Sequence, residues 1–387
     1  MRYRIVFEAD KHWGVTRPED QYQTSYIIKK YLAEQPVDLY INLGDFFDTK
    51  LLLNSKASIY AVRDFQDKVA ICRARGIPVR AIKGTRSHDY DQWDIFDRTY
   101  KIPENDTVCF RTCATEETLP GLRILYCPEE NVNFADYVDQ YYDVITSKPP
   151  MIAALHGNFD KIMPAIAVQL AENDASSTTL VYHYEDLERT VRGPLVAGHW
   201  HSGETYRHLS YVGSFDRWSF GEMEMKGFMV VEYDTDTQTY REVRVPNILA
   251  PVYKTYEVHT GTYVNTEAYA ALIEAIDANL KADPIMHVRI LVKIDAEQSN
   301  TEQQLTNLKF KYANNKRVHI TIINQLKKEK KAAKKEAAKV TEEAYQYIKD
   351  PNMPIQDKIR EFIKQHTGHD YTDEQIMSVI GNHLEMK

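Results

Sequence analysis

The sequence predicts an α/β protein whose main body is two sheets packed face to face and covered by helices. Two observations predict it. Residues 1–245 alternate short apolar runs with helical periodicity, and from Leu122 on the strand-like runs dominate. Five Asp- and His-bearing motifs also follow apolar runs directly: Asp10-x-His12, Gly44-Asp-Phe-Phe-Asp48, Ser87-His-Asp89, His156-Gly-Asn158 and Gly198-His-Trp-His201. The runs before them, Arg4–Phe7, Leu39–Leu43, Val79–Ile82, Met151–Leu155 and Leu195–Ala197, read as strands that bring the motifs to one rim.

The elements follow in order. Glu19–Glu34 is an expected helix, with Tyr22, Tyr26, Ile27, Tyr31 and Leu32 at helical spacing. Ser55–Arg75 is a second, with Ala61, Phe65, Val69 and Cys72 on one stripe. Gly76 stops it, and Pro78 stands near the start of the next strand. Further strands are expected at Leu122–Tyr126, His208–Val212 and Gly227–Tyr233. Pro246 and Pro251 mark a linker to a smaller α/β domain over 246–325. Its expected order is strand Val252–Val258, helix Thr266–Leu280, strand His287–Ile294, helix Thr301–Lys311 and strand Val318–Ile323.

Residues 326–387 change character. Leu326–Lys339 carries seven Lys and two Glu, with strong helix formers but no wide apolar stripe. Asp350-Pro-Asn-Met-Pro354 breaks the chain. Two short amphipathic helices should follow, one striped by Ile355, Ile359, Phe362 and Ile363. The second should open on a capping box at Thr372–Gln375, with Ile376, Val379 and Ile380 on its face.

Composition narrows the function classes. No apolar run reaches the ~20 residues of a membrane helix, and no apolar leader precedes the first strand, so a cytoplasmic protein without a membrane role is expected. Four cysteines (Cys72, Cys109, Cys113, Cys127) are too sparse for a disulfide scaffold and read as reduced, partly buried thiols. A net charge of −8 argues against coating nucleic acid by bulk charge, although it leaves room for a nuclease with local basic patches.

Alone, each motif is compatible with a turn Asp or a solvated His. Together, carboxylates and imidazoles at five strand ends suit a pair of hard divalent cations acting on a phosphate ester. Asp10 and His12 would project the same way if the chain stays extended there, and His199 and His201 stand at the same spacing.

These motifs, in this order, resemble the calcineurin-like metallophosphoesterases. Tyr211-Val-Gly-Ser-Phe-Asp-Arg-Trp-Ser-Phe-Gly-Glu222 and Lys226-Gly-Phe228 are similar to the signature of SbcD-like DNA-repair nucleases within them. The resemblance implies a four-layer αββα sandwich over 1–245, a capping domain over 246–325 and a helical partner-binding tail over 326–387. It implies two manganese ions, with magnesium the lesser candidate. Asp10, His12 and His201 would hold one ion, His156 and His199 the other, and Asp45 would bridge them. His88 would stabilise or protonate the leaving group, and Asp48 would orient its neighbours. One departure concerns the turn where the family has Gly-Asn-His-Asp and this chain has Gly84-Thr-Arg-Ser-His-Asp89. Either Ser87 replaces the Asn ligand, or Thr85 does and Arg86-Ser87 is inserted. Arg86 and Arg217 are candidate DNA contacts.

The resemblance further implies a homodimer formed through the helices at Ser55–Arg75 and near Trp93–Tyr100. Residues 326–387 would bind an SMC-like ATPase of the SbcC type. The expected activity is a manganese-dependent 3′–5′ exonuclease on duplex ends and an endonuclease on single strands, in a bacterial cytoplasm or that of a phage host. The alternatives are another metallophosphoesterase, acting on nucleotides or phosphoproteins, and a non-catalytic scaffold for the ATPase on DNA.

Overall fold

The computed structural model describes the chain except for residues 97–106, 130–137, 140–142, 144, 164–180, 261–266, 296–300, 327–349, 351, 368–371, 373 and 377–387. The protein is mixed α/β. It divides into two compact units, residues 1–255 with 277–289 and residues 256–276 with 290–387.

In the first unit, helices α1 (Pro18–Thr24), α2 (Tyr26–Glu34) and α3 (Lys56–Ala74) interleave with strands β1 (Arg2–Glu8), β2 (Leu39–Asn42) and β3 (Val79–Ile82). A short helix α4 (Arg86–Asp89) then leads to β4 (Thr107–Phe110), β5 (Ala114–Leu119), β6 (Leu122–Cys127), β7 (Ile152–His156), β8 (Asn158–Phe159) and β9 (Val181–Tyr182). Helix α5 (Tyr184–Thr190) precedes β10 (Leu195–Gly198), β11 (Thr205–Tyr206), β12 (Leu209–Tyr211), β13 (Gly227–Asp234) and β14 (Thr239–Pro246). Among the described residues these strands form two six-stranded sheets, ordered β14-β13-β1-β2-β3-β4 and β11-β12-β10-β7-β6-β5, and a small β8–β9 pair. β1 to β4 run parallel, as do β6, β7, β10 and β12.

The side-chain alternation of each strand sets the layers. Ile5, Phe7, Leu39 and Ile41 of the first sheet share one core with Ile124, Tyr126, Ala154 and Val196 of the second. Their alternates face outward. Val6, Tyr40 and Val79 pack with Ile28, Leu32, Phe65 and Val69 of α2 and α3. Leu125, Ala153, Leu155 and Leu195 pack with Tyr184 and Leu187 of α5. Strands covered on both faces need to be apolar throughout, which is why they are legible as continuous runs.

The expected helix Glu19–Glu34 is interrupted at Ser25. The Gln21 carbonyl there accepts from Lys11 Nζ (2.9 Å) and from the Thr24 hydroxyl (2.8 Å) as well as from the Ser25 N–H (3.2 Å). Sharing one acceptor among three donors weakens the helical ladder at that turn. α3 begins as expected, with the Ser55 hydroxyl capping the Ser58 N–H. β4, β5 and β14 were not expected from the sequence. β4, β5 and β14 carry polar or charged residues, and β4, β5 and β14 lie at sheet edges.

Buried charges tie α3 to β1. Lys68 bridges both Glu8 oxygens at 2.8 Å and Asp64 at 2.7 Å, while Lys29 reaches Asp64 at 3.2 Å. Burial acts against the Lys68 ammonium, but Asp64 and Glu8 outweigh it and raise its pKa. Next to this group, Lys11 bridges Asp216 at 2.6 Å, with both side chains buried.

β15 (Tyr253–His259), β16 (His287–Ile294) and β17 (Val318–Asn324) form a three-stranded sheet, with α6 (Glu267–Ala282) and α7 (Thr301–Tyr312) between them in sequence. This is the expected strand–helix order. α8 (Ile355–Thr367) is the first expected tail helix. The capping box also forms: Thr372 N donates to Gln375 Oε1 (3.0 Å), and Gln375 N donates to Thr372 Oγ1 (3.4 Å). The Lys-rich stretch, except Leu326, and the stripe residues Val379 and Ile380 lie outside the described residues. Among the described residues, no helix is long and apolar enough to cross a membrane.

Replacing Lys68 by Met should leave Glu8 and Asp64 buried without their shared cation. The expected loss is about 3–5 kcal/mol of unfolding free energy in urea titration, and an unchanged midpoint would contradict this role.

Candidate metal centre

The candidate ligands stand at the carboxyl ends of parallel strands from both sheets. β1 leads to Asp10 and His12, β2 to Asp45 and Asp48, and β3 to Thr85 and His88. β6 leads to Glu129, β7 ends on His156, and β10 leads to His199 and His201. Open α/β sheets place ligands at this end because loops there turn several chain segments toward one crevice.

The local backbone is bent, contrary to the extended chain expected at Asp10-x-His12. Asp10 (φ 50°), His12 (φ 48°), Asp45 (φ 47°) and His199 (φ 100°) all occupy the positive-φ region. Side chains with a Cβ adopt it at a cost, and such strain gathers at functional sites. Backbone bonds hold the bends: Asp10 N to Gly44 O (3.1 Å) and His12 N to Asp45 O (3.0 Å). The loops after β2 and β3 touch so closely that a Cβ on Gly84 would lie 2.2 Å from Asp45 N, and one on Gly44 would lie 2.5 Å from Gly84 N. Only glycine fits at both positions.

Asp89 fastens these two loops. Its buried carboxylate accepts from the N–H groups of Asp45 (3.1 Å), Phe47 (3.0 Å) and Gly84 (2.8 Å), and from Trp93 Nε1 (3.0 Å). Asp10 joins the two sheets, since both of its carboxylate oxygens accept from His199 N, at 2.9 and 3.1 Å.

Three groups of side chains bring potential ligand atoms within 4.8 Å of one another: Asp10, His12 and His201; His12, Asp45 and His88; and Asp45, His156 and His199. The first and third join the residues expected to hold the two ions, and the second connects them, sharing His12 with the first and Asp45 with the third. Several rings are held at one nitrogen so that the other turns inward. His156 Nδ1 donates to Leu43 O (2.6 Å), which turns Nε2 toward Asp45 Oδ2 at 3.2 Å. His12 Nδ1 meets Asp48 Oδ1 at 3.2 Å, and His88 Nδ1 donates to Asp48 O at 2.5 Å. Asp48 thus orients two rings, one by side chain and one by backbone.

The electrostatics call for positive charge between these groups. Burial acts to raise Asp45, but His156, His12 and His88 outweigh it and hold its pKa well below the carboxylate range. Burial raises Asp10, and Asp45 adds to this against the pull of His156 and His12. Burial opposes the charged His156 ring, yet Asp45, Asp10 and Glu129 lift its pKa to about 10. His201 falls to about 3 through burial and the neighbouring His12 and Lys226. His12 Nε2 is buried without a hydrogen-bond partner and lies 3.7 Å from Asp45 Oδ2. An orphaned ring nitrogen facing a shared carboxylate is what a divalent cation would satisfy, so the residues fit a metal pair.

Ser87 does not join these groups. It is exposed on α4, whereas Thr85, just before that helix, reaches the ligand atoms. Thr85 Oγ1 lies 3.2 Å from Asp45 Oδ2, 3.4 Å from His156 Nε2 and 3.3 Å from His199 Nδ1. Of the two alignments open from the sequence, the structure has Thr85 at the site. The helical turn that begins at Arg86 carries Ser87 outward and His88 inward.

Sequence reasoning missed Glu129. Its side chain is 11% exposed, and Oε2 lies 2.6 Å from Thr85 Oγ1, 3.5 Å from His199 Nδ1 and 3.8 Å from His156 Nε2. The signal was available, since Glu129 follows the apolar run Leu122–Cys127 as the other candidates follow theirs.

Arg86 is exposed on α4 beside His88. Arg217 is half-buried and donates through Nη2 to Glu224 O (2.9 Å), which braces the loop after β12. That loop lays Trp218 edge-on to His12 and His201, with centroids 4.6 Å from each. Lys226 Nζ supports it by donating to His201 O (3.0 Å) and pairing with Glu222 (2.8 Å). Cys72, Cys113 and Cys127 are buried, and Cys109 is half-buried.

The chain matches no model of a known protein family, and no curated protein matches it.

Because His156 holds its proton up to about pH 10 in the metal-free protein, a divalent cation has to displace it. Divalent-cation binding at pH 7 should release protons, and affinity should rise with pH toward that value. Calorimetry in buffers of different ionisation heat measures this. Identical heats in all buffers would contradict the assignment of His156.

Proposed function

We propose that this chain is a manganese-dependent DNA nuclease of the SbcD-like type, built on the metallophosphoesterase four-layer αββα sandwich. One observation carries the reading: strand ends of two facing sheets bring Asp10, His12 and His201 into one group and Asp45, His156 and His199 into another, with His12 Nε2 of the first 3.7 Å from Asp45 Oδ2 of the second. The motif order along the chain and the Tyr211–Phe228 stretch favour a nuclease over other phosphoesterases.

In this reading Asp10, His12, Asp45 and His201 hold one ion, and Asp45, His156 and His199 the other. When bound there, such ions would supply Lewis-acid polarisation of phosphoryl oxygens and a more acidic water. The protein's own residues do the rest. Asp48 O keeps the proton of His88 on Nδ1, so Nε2 is the atom that exchanges a proton at the site. With both nitrogens protonated, His88 stabilises the departing 3′ oxygen and transfers the Nε2 proton to it. Trp218 walls the His12–His201 side and limits solvent there. Arg86, beside His88, suits a phosphate of the strand.

Exposed apolar residues support the partner assignments. Leu52 (74% exposed) and Leu53 (73%) lie in the loop just before α3, the helix proposed for the homodimer, and Ile59 (56%) lies near its start. Part of the second dimer helix, near Trp93–Tyr100, lies outside the described residues. Ile355 and Phe362 remain exposed on α8, which suits docking of that amphipathic helix on an ATPase of the SbcC type.

End-labelled linear DNA with manganese tests the activity against a small chromogenic diester. Wild type should cut DNA, Asp45→Ala should lose both metal and cleavage, and His88→Ala should keep metal and DNA binding while losing roughly 100-fold or more in rate. Loss of metal from His88→Ala would make His88 a ligand, and cleavage of the diester alone would favour a different phosphoesterase. Deleting 326–387 should retain manganese-dependent cleavage and abolish capture of the ATPase. Undiminished capture would contradict the tail's role.

A further inference from the structure

The second group leaves part of its surroundings unassigned. Asp45, His156 and His199 supply three donor atoms, yet two more oxygens face the same point. Thr85 Oγ1 lies within 3.4 Å of a donor atom from each of the three. Glu129 Oε2 stands 2.6 Å behind it and faces both histidines. Among the described residues, its side-chain partners besides Thr85 are these two rings. A carboxylate this deeply buried is costly unless positive charge is beside it. His12 Nε2, buried and unpartnered on the other side of Asp45, independently marks the space as one for a cation.

The segment carrying Glu129 is fixed. Cys127 ends β6 in register with Leu155 of β7, one residue before His156. Tyr182 OH donates to Pro128 O at 3.1 Å. Neighbouring strands therefore deliver Glu129 and His156 at nearly the same level, and Glu129 needs no loop motion to reach the site.

We propose that Glu129 is a ligand of the second divalent cation, acting through Oε2, with Thr85 as its neighbouring oxygen. This rests on the metal-centre reading above. The second site then has two carboxylates and two imidazoles, a set that favours a hard divalent ion such as manganese. It also balances the first site, where Asp10 is the carboxylate beside Asp45.

Manganese binding to the full-length chain, followed by calorimetry and by the electron paramagnetic resonance of free manganese, tests this without an activity readout. Wild type should bind two ions. Glu129→Ala should weaken one of them roughly 10- to 100-fold or more and leave the other unchanged, with Glu129→Gln intermediate because its amide retains an oxygen. His12→Ala should weaken the other ion instead. Thr85→Val separates ligation from support, since Glu129→Ala should cost further affinity in that background. Two ions of wild-type affinity in Glu129→Ala would overturn the proposal. So would no further loss beside Thr85→Val, which would make Glu129 a positioning residue acting through Thr85. Wild type that binds no manganese would instead sink the metal-centre reading itself.

Discussion

Two histidine nitrogens point at one buried carboxylate, and much of the first unit's rim is arranged around that confrontation. Asp45 faces His156 Nε2 and His12 Nε2, while Thr85 donates to it from N at 2.6 Å. Each ring's other nitrogen is already committed to Leu43 O or Asp48. Without a cation, a proton on His156 has to separate the groups. With one, the same geometry becomes a ligand cage.

The fold meets this constraint in layers. Facing sheets bring the ends of β1, β2 and β3 opposite those of β6, β7 and β10, and Asp10 crosses between them to the backbone of His199. Gly44 and Gly84 let two loops touch, and the Asp89 carboxylate holds them there by accepting three of their backbone N–H groups, with the Trp93 indole N–H as a fourth donor. Below, the Lys68–Glu8–Asp64 and Lys11–Asp216 groups fix α3 and the post-β12 loop to the strand that carries Asp10 and His12. Such buried pairs add little net stability, but removing either partner is costly, so they define position more than they add strength.

Much of this was legible in the sequence, for physical reasons. Strands covered on both faces are continuous apolar runs, and Asp or His directly after them marks the strand ends. β3 therefore has the expected limits, and the expected ligands meet in two groups, with His12 of one facing Asp45 of the other. What failed depends on tertiary geometry. The choice between Thr85 and Ser87 turns on where α4 begins, which spacing alone left open. The positive φ angles of Asp10 and His12 replace the extended chain the pattern implied. Glu129 stands alone after its run, with no Asp or His beside it at motif spacing, and the edge strands β5 and β14 carry charged residues that interrupt the apolar pattern. The helix break at Ser25 arises from Lys11, fourteen residues earlier in the chain.

The most direct test of the central claim is anomalous diffraction at the manganese edge from crystals grown with that ion. Two peaks are predicted roughly 3.5–4 Å apart, one among Asp10, His12, Asp45 and His201 and the other among Asp45, His156 and His199. No peak beside Asp45, or ions bound only elsewhere on the surface, would contradict the account.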